Sequence, residues 1–218
     1  MINIMKAVIL DLDGTLIDSM GIWHEIDKQF FAEYDLILPE HLSNQVNKMT
    51  MQEWAEYFIK NFHIPLTETQ IIQKIEEMAF AYYQKIIPIK PYVLDFLDFL
   101  DKNNIPYGIA TATYKSSARA VLARLKILDR MQFILTAEDV PTCKKTPEIF
   151  LKACALLNST PEQTLVIEDS LHCIQTAKQA NFKTAVIYDK FTPSDEWEIA
   201  KQISDISGND LQEIIAKL

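Results

Sequence analysis

Lys6-Ala-Val-Ile-Leu10 runs directly into Asp11-Leu-Asp13-Gly-Thr15. A short, unbroken run of aliphatic and β-branched residues lacks the alternation of a strand with one wet face, so it reads as a strand buried on both sides, as in a parallel sheet. The run stops abruptly at an acidic turn, which sets two carboxyl groups at the strand's C-terminal end. Similar runs recur at Tyr107-Gly-Ile-Ala110, Gln132-Phe-Ile-Leu135, Thr164-Leu-Val-Ile167 and Thr184-Ala-Val-Ile187, each separated from the next by a helical pattern. Strands alternating with helices predict an α/β fold, a doubly wound, Rossmann-like parallel sheet covered on both faces.

Helix boundaries fit that scheme. Thr146-Pro147 and Thr160-Pro161 each read as an N-cap followed by a proline at the first helical position. Ser170 reads as the cap of a helix that Asn181 closes in the left-handed conformation. Between the first strand and the helix beginning near Pro91 lie about seventy residues without a strand signal, too many for a loop. Thr50-x-x-Glu53 and Thr67-x-x-Gln70 are capping boxes ahead of apolar periodic runs, so this stretch is predicted to be helical. The expected organisation is a core of residues 1–16 and 89–218 with a helical cap, 17–88, inserted into it; Pro88 and Pro91 mark the exit.

The chain's 218 residues suffice for one large core and a smaller inserted one. With 49% hydrophobic and 23% charged residues, its composition is that of an ordinary globular protein. A net charge of −9 leaves no broad basic surface for a polyphosphate backbone, so nucleic acid is not an expected partner. Cys143, Cys154 and Cys173 are odd in number and lack the paired spacings of a zinc site or a disulfide framework. Free thiols, no signal pattern and no run long enough to cross a membrane set the expectation of a cytoplasmic protein.

In an open parallel sheet, ligands bind outside the carboxyl ends of the strands. Asp11 and Asp13 follow the first strand, Thr111 and Thr113 the second, Lys144 the third, and Glu168 with Asp169 the fourth. Asp11, Asp13 and Asp169 suit a hard cation such as Mg2+, which takes oxygen ligands and often shares them with a phosphate. A cation there relieves the repulsion between a carboxylate and an anionic phosphate, which permits Asp11 to attack. Asp13, beside the permissive Gly14, is suited to act as general acid and base. Lys144 offsets negative charge and a Thr111 hydroxyl donates to a phosphoryl oxygen.

These residues carry a resemblance to the haloacid dehalogenase superfamily, in the β-phosphoglucomutase-like branch with a helical cap. Asp11-Leu-Asp-Gly-Thr-Leu16 is similar to the first motif, Ala110-Thr-Ala-Thr113 to the second, Lys144-Lys-Thr-Pro-Glu-Ile-Phe150 to the third, and Val166-Ile-Glu-Asp-Ser170 to the fourth. The resemblance implies a phosphatase in which Asp11 is the nucleophile, Asp13 the acid and base, Thr111 a phosphate-binding hydroxyl and Lys144 the stabiliser of the phosphorylated intermediate. It also implies magnesium held by Asp11, the Asp13 carbonyl and Asp169, with Glu168 as a neighbour or a ligand through water, and phosphate contacts from the amides of Leu12, Thr111 and Ala112. The implied substrate is a small phosphorylated metabolite such as a sugar phosphate, and a monomer is expected. The third motif departs from the family pattern: Lys145 stands where a proline is usual, and the spacing to Pro147 selects Lys144 as the inward lysine.

A phosphomutase of the β-phosphoglucomutase type shares all four motifs and is the nearest alternative; a phosphometabolite-binding protein without activity is a further one. A phosphoacceptor receiver domain is disfavoured by the long helical insertion. Trp23, Trp54, Phe30 and Phe31 are expected in the core of the insertion, and His24 at its surface or hydrogen-bonded. Lys48, Met49 and Thr50 are expected to form a loop facing the site.

Overall fold

The computed structural model describes residues 5–39, 42 and 49–218. Six strands, β1 (Ala7–Leu10), β2 (Tyr107–Ala110), β3 (Ile134–Leu135), β4 (Thr164–Glu168), β5 (Lys183–Ile187) and β6 (Ile206–Gly208), form one sheet in the order β3-β2-β1-β4-β5-β6. Every pairing is parallel. The chain builds outward from β1 to β3, then returns to the other side of β1 for β4. That reversal is a topological switch point, and β1 and β4 flank it.

Alternation along β1 explains the two-sided burial. Val8 and Leu10 join a core cluster with α4 (Val93–Lys102), α5 (Lys115–Arg124) and α9 (Leu211–Lys217), while Ala7 and Ile9 face α6 (Glu148–Leu156) and α7 (Leu171–Gln179). Each fully buried aliphatic side chain contributes about 1.5–3 kcal/mol relative to exposure, which fixes the strand between its two helical layers. A smaller cluster joins α7 and β5 to α8 (Ser194–Ile203) through Ile174, Val186 and Ala200.

Among the described residues, the stretch between β1 and α4 contains three helices: α1 (Met20–Ala32), α2 (Met51–Phe62) and α3 (Glu68–Lys85). Both predicted capping boxes form, Thr50 with Glu53 on α2 and Thr67 with Gln70 on α3. Phe30, Phe31, Trp54 and Phe58 pack ring against ring between α1 and α2, as expected for core aromatics. The two passages between this insertion and the sheet run side by side: Ile17 bridges Ile89, Asp18 N donates to Pro88 O at 3.0 Å, and Lys90 N donates to Leu16 O at 2.9 Å.

Three local expectations are corrected. Thr160-Pro161 opens only a 3-10 turn, Pro161–Gln163, because β4 begins at Thr164 and leaves no room for a helix. At Thr146-Pro147 the capping position is Pro147, so α6 begins one residue later and the threonine hydroxyl exchanges a hydrogen bond with Thr142 instead. Ser170 does precede α7, but its hydroxyl meets His172 Nδ1 at 2.7 Å rather than a helical amide. Asn181 has the anticipated positive φ of 63°. The strand β6 has no counterpart in the sequence reading. All three cysteines are free and buried, and no described helix is long and apolar enough to cross a membrane.

Candidate active site

Leu10 pairs with Ile167 across the β1–β4 ladder, so the residues that follow the two strands emerge together at the switch point. Asp11 stays in line with the sheet, its amide donating to Ile167 O at 3.0 Å. It is 5% exposed, Lys144 6%, Glu168 1% and Asp169 7%, which leaves one ammonium among three carboxylates in a nearly dry crevice. One oxygen from each of Asp11, Glu168 and Asp169 lies within 4.8 Å of the others.

Lys144 reaches this point from the 3-10 turn Cys143–Lys145, where Cys143 adopts a left-handed φ of 47°. That kink directs successive lysines oppositely. Lys144 Nζ donates to Asp11 and, at 2.5 Å, to Glu168, whereas Lys145 turns outward to pair with Glu53 at the start of α2. Glu168 also accepts from the amides of Asp169 at 3.1 Å and Ser170 at 3.2 Å.

The electrostatics follow from burial and sharing. Desolvation, reinforced by Glu168, pushes the Asp11 carboxyl up to about 8 against the opposing pull of Lys144. Asp169 is pushed well above the carboxylate range by burial, with Glu168 and Asp11 adding to it. Burial pulls Lys144 down, but Asp11 and Glu168 together hold it well above its ordinary value. Glu168 is raised by burial and lowered further by Lys144, for a net decrease. The Asp169 carboxylate meets no cationic side chain among the described residues. Three converging oxygens with a single ammonium suit a hard divalent cation.

Gly14 makes this convergence possible. Its φ is +76°, and a Cβ there would fall 2.7 Å from Asp169 Cγ, inside contact distance. The turn it closes, with Gly14 N donating to Ile17 O at 2.9 Å, brings Asp13 back over the strand end. Asp13 is half-buried, and its carboxylate accepts from Ser19 Oγ at 2.6 Å, from Tyr83 OH and from Thr113 Oγ1.

Thr111 lies buried at the end of β2, its hydroxyl accepting from Thr113 N at 3.1 Å. Its own amide donates to Leu135 O at 3.0 Å, so the ladder engages an N–H that the family resemblance assigned to phosphate. The Leu12 and Ala112 amides have no such partner among the described residues. The structure thus gathers Asp11, Asp13, Thr111, Thr113, Lys144, Glu168 and Asp169 at one crevice. Lys48 lies outside the described residues; Met49 packs partly buried against the main core, and His24 is exposed on α1.

Three further residues went unrecognised in the sequence. Ser19 occupies the N-cap of α1 yet spends its hydroxyl on Asp13. Tyr83, at the end of α3, continues the buried stripe Ile71, Ile75 and Ala79, a spacing that marks only a packed face. Lys90 Nζ donates to Gly14 O at 2.5 Å, to Tyr188 O at 3.0 Å and to Asp189 at 3.0 Å, bracing the acidic turn against the end of β5.

A doubly wound sheet with a buried carboxylate–lysine crevice at its switch point, and helices inserted directly after the acidic turn, defines an α/β protein of the cleft-site class. Residues 8–187 match the profile of the haloacid dehalogenase-like hydrolases, and the chain belongs to that family. It is 25% identical over 179 residues to a phosphorylated carbohydrates phosphatase of Thermotoga maritima, covering 82% of this chain and 83% of that one. Its fold matches CbbY from Rhodobacter sphaeroides, solved in complex with phosphate, with a TM-score of 0.84 at 20% identity over 96% of both chains. A β-phosphoglucomutase from Clostridium difficile superposes with a TM-score of 0.81 at 19% identity, over 98% of this chain and 96% of the other.

Proposed function

We propose that this protein is a magnesium-dependent phosphatase that hydrolyses a small phosphorylated carbohydrate through a phosphorylated Asp11. The observation that carries this reading is the Lys144 ammonium bonded to both Asp11 and Glu168 inside the buried cluster. An ammonium at that position favours the ionised form of Asp11 against the burial that raises it, and offsets the charge that accumulates as phosphate arrives. The named activity of the Thermotoga maritima relative supports the substrate class.

In this reading Asp11, Asp169 and the Asp13 carbonyl hold the magnesium, with Glu168 beside them. When bound, the ion supplies positive charge that neutralises phosphate and nucleophile together. Asp11 attacks phosphorus; Asp13 delivers a proton to the departing alcohol oxygen and then removes one from the water that hydrolyses the aspartyl phosphate. The Thr111 hydroxyl and the Leu12 and Ala112 amides donate to phosphoryl oxygens. Residues 17–88 act as a cap that excludes bulk water while the phosphoryl group is in transit.

The test is phosphate release from a panel of monoesters, p-nitrophenyl phosphate and sugar phosphates among them, with and without magnesium, beside an Asp11→Asn control. Release that requires both metal and Asp11 is expected. A phosphomutase would use the same Asp11 chemistry but return the phosphoryl group to a second hydroxyl. Isomer conversion primed by a sugar bisphosphate, faster than phosphate release, would replace hydrolysis with that reading.

A further inference from the structure

We infer that Tyr83, a residue of the inserted helices, is a positioning residue for Asp13, so that the insertion completes the acid–base group as well as covering it. The inference rests on the reading of Asp13 as that group.

Tyr83 OH donates to Asp13 Oδ1, the oxygen that also accepts from Ser19, while Thr113 Oγ1 donates to Oδ2. The phenol and the Thr113 hydroxyl lie 3.3 Å apart. Three hydroxyls from three parts of the chain therefore fix both the rotation and the plane of one carboxylate. Seventy residues separate Tyr83 from Asp13, so this contact is a product of tertiary structure alone.

The position of Tyr83 is itself built from outside α3. Arg124 on α5 donates to the main-chain carbonyls of Tyr83, at 3.3 Å, and of Ile87, satisfying groups that the end of α3 leaves open. Further along the same helix, Tyr114 donates to Glu76, which ties α3 to the loop after β2. The ring of Trp23 meets that of Tyr83 edge-on at 6.4 Å. A purely space-filling tyrosine needs none of this, and a phenylalanine would fill the same volume.

A carboxyl group held in one orientation presents its proton to the leaving oxygen, and as carboxylate takes one from water, without a conformational search. The need for that proton depends on the leaving group. An alkoxide requires it; p-nitrophenolate departs without it. Tyr83→Phe retains the ring and removes the hydroxyl. The quantity to compare is kcat/KM, which counts only the steps up to departure of the alcohol. On the fastest sugar phosphate of the panel, Tyr83→Phe is expected to lose roughly 10- to 100-fold, and on p-nitrophenyl phosphate less than about threefold, from the usual strength of a hydrogen bond to a charged group. Thr113→Val, which changes no residue of α3, is expected to show the same discrimination, and the two losses are expected not to add. Asp13→Asn serves as reference and is expected to discriminate most strongly. Equal losses on both esters in Tyr83→Phe and Thr113→Val, or none, beside a discriminating Asp13→Asn, would overturn the inference and leave the acid–base reading standing. An Asp13→Asn that does not discriminate would remove that reading, and the role of Tyr83 with it.

Discussion

Replacing Lys144 by Met removes the only ammonium bonded to Asp11 and Glu168 among the described residues while keeping most of the side chain's volume. All three side chains are buried, so the loss is that of breaking a buried ion pair from one side, about 3–5 kcal/mol. In a chain of this size each kcal/mol moves the melting temperature by about 2–4 °C, so a fall of roughly 6–20 °C is expected for the metal-free protein at neutral pH. The pH dependence has a definite sign. Glu168 is lowered from 4.5 and Lys144 raised from 10.5, so their mutual stabilisation is present between those values and fades as Glu168 protonates in acid. The assay is thermal unfolding of both proteins in chelator at about pH 7.5 and about pH 4, with the deficit expected to shrink in acid. Hydrolysis by the variant is expected to fall at least about 10²-fold, the scale of losing one preorganised charge partner. A variant that melts within 2 °C of the parent at neutral pH, or whose deficit is the same in acid, would refute the buried pairing.

Gly14→Ala sets a Cβ against Asp169 Cγ at a φ of +76°; a destabilisation of about 1–3 kcal/mol and weakened magnesium binding are expected, read by denaturant unfolding and metal titration. Lys145→Ala removes only an exposed pair with Glu53, and kcat is expected to stay within about threefold of the parent, which activity assays of both lysine variants would show. In chelator, stability is expected to fall as pH rises from about 5 to 8, because Asp11, pushed to about 8, and Asp27, pushed by burial to about 7, keep their protons in the native state longer than in the unfolded chain. Denaturant titrations across that range check the slope, and Asp27→Asn is expected to flatten it.

Much of this molecule was legible because its signals are local. The run ending at Leu10 names a buried strand by composition alone, and the two capping boxes are complete within four residues each, so both formed as read. The convergence of Asp11, Glu168 and Asp169 follows once each is set at the end of β1 or β4, because the switch point brings those ends together, whereas Lys144 joins them from the 3-10 turn well past β3. The sequence could not show the Asp13 network, since Tyr83 sits in a stripe whose periodicity reports only packing. Nor could it show β6: Ile206-Ser-Gly208 is too short to stand out, and its pairing with β5 is what makes it a strand. The caps at Thr146 and Thr160 misled because a hydroxyl before proline also suits turns, and the neighbouring element decides which one forms.

The Lys90 brace, beside the paired passages at Ile17 and Ile89, has a mechanical consequence. Two chain crossings stitched to each other and pinned to the rim of the sheet form a clamp rather than a tether: the residues entering the insertion and those leaving it keep a fixed spacing at the mouth of the crevice. Ser19, two residues past the bridge, is thereby held within reach of Asp13.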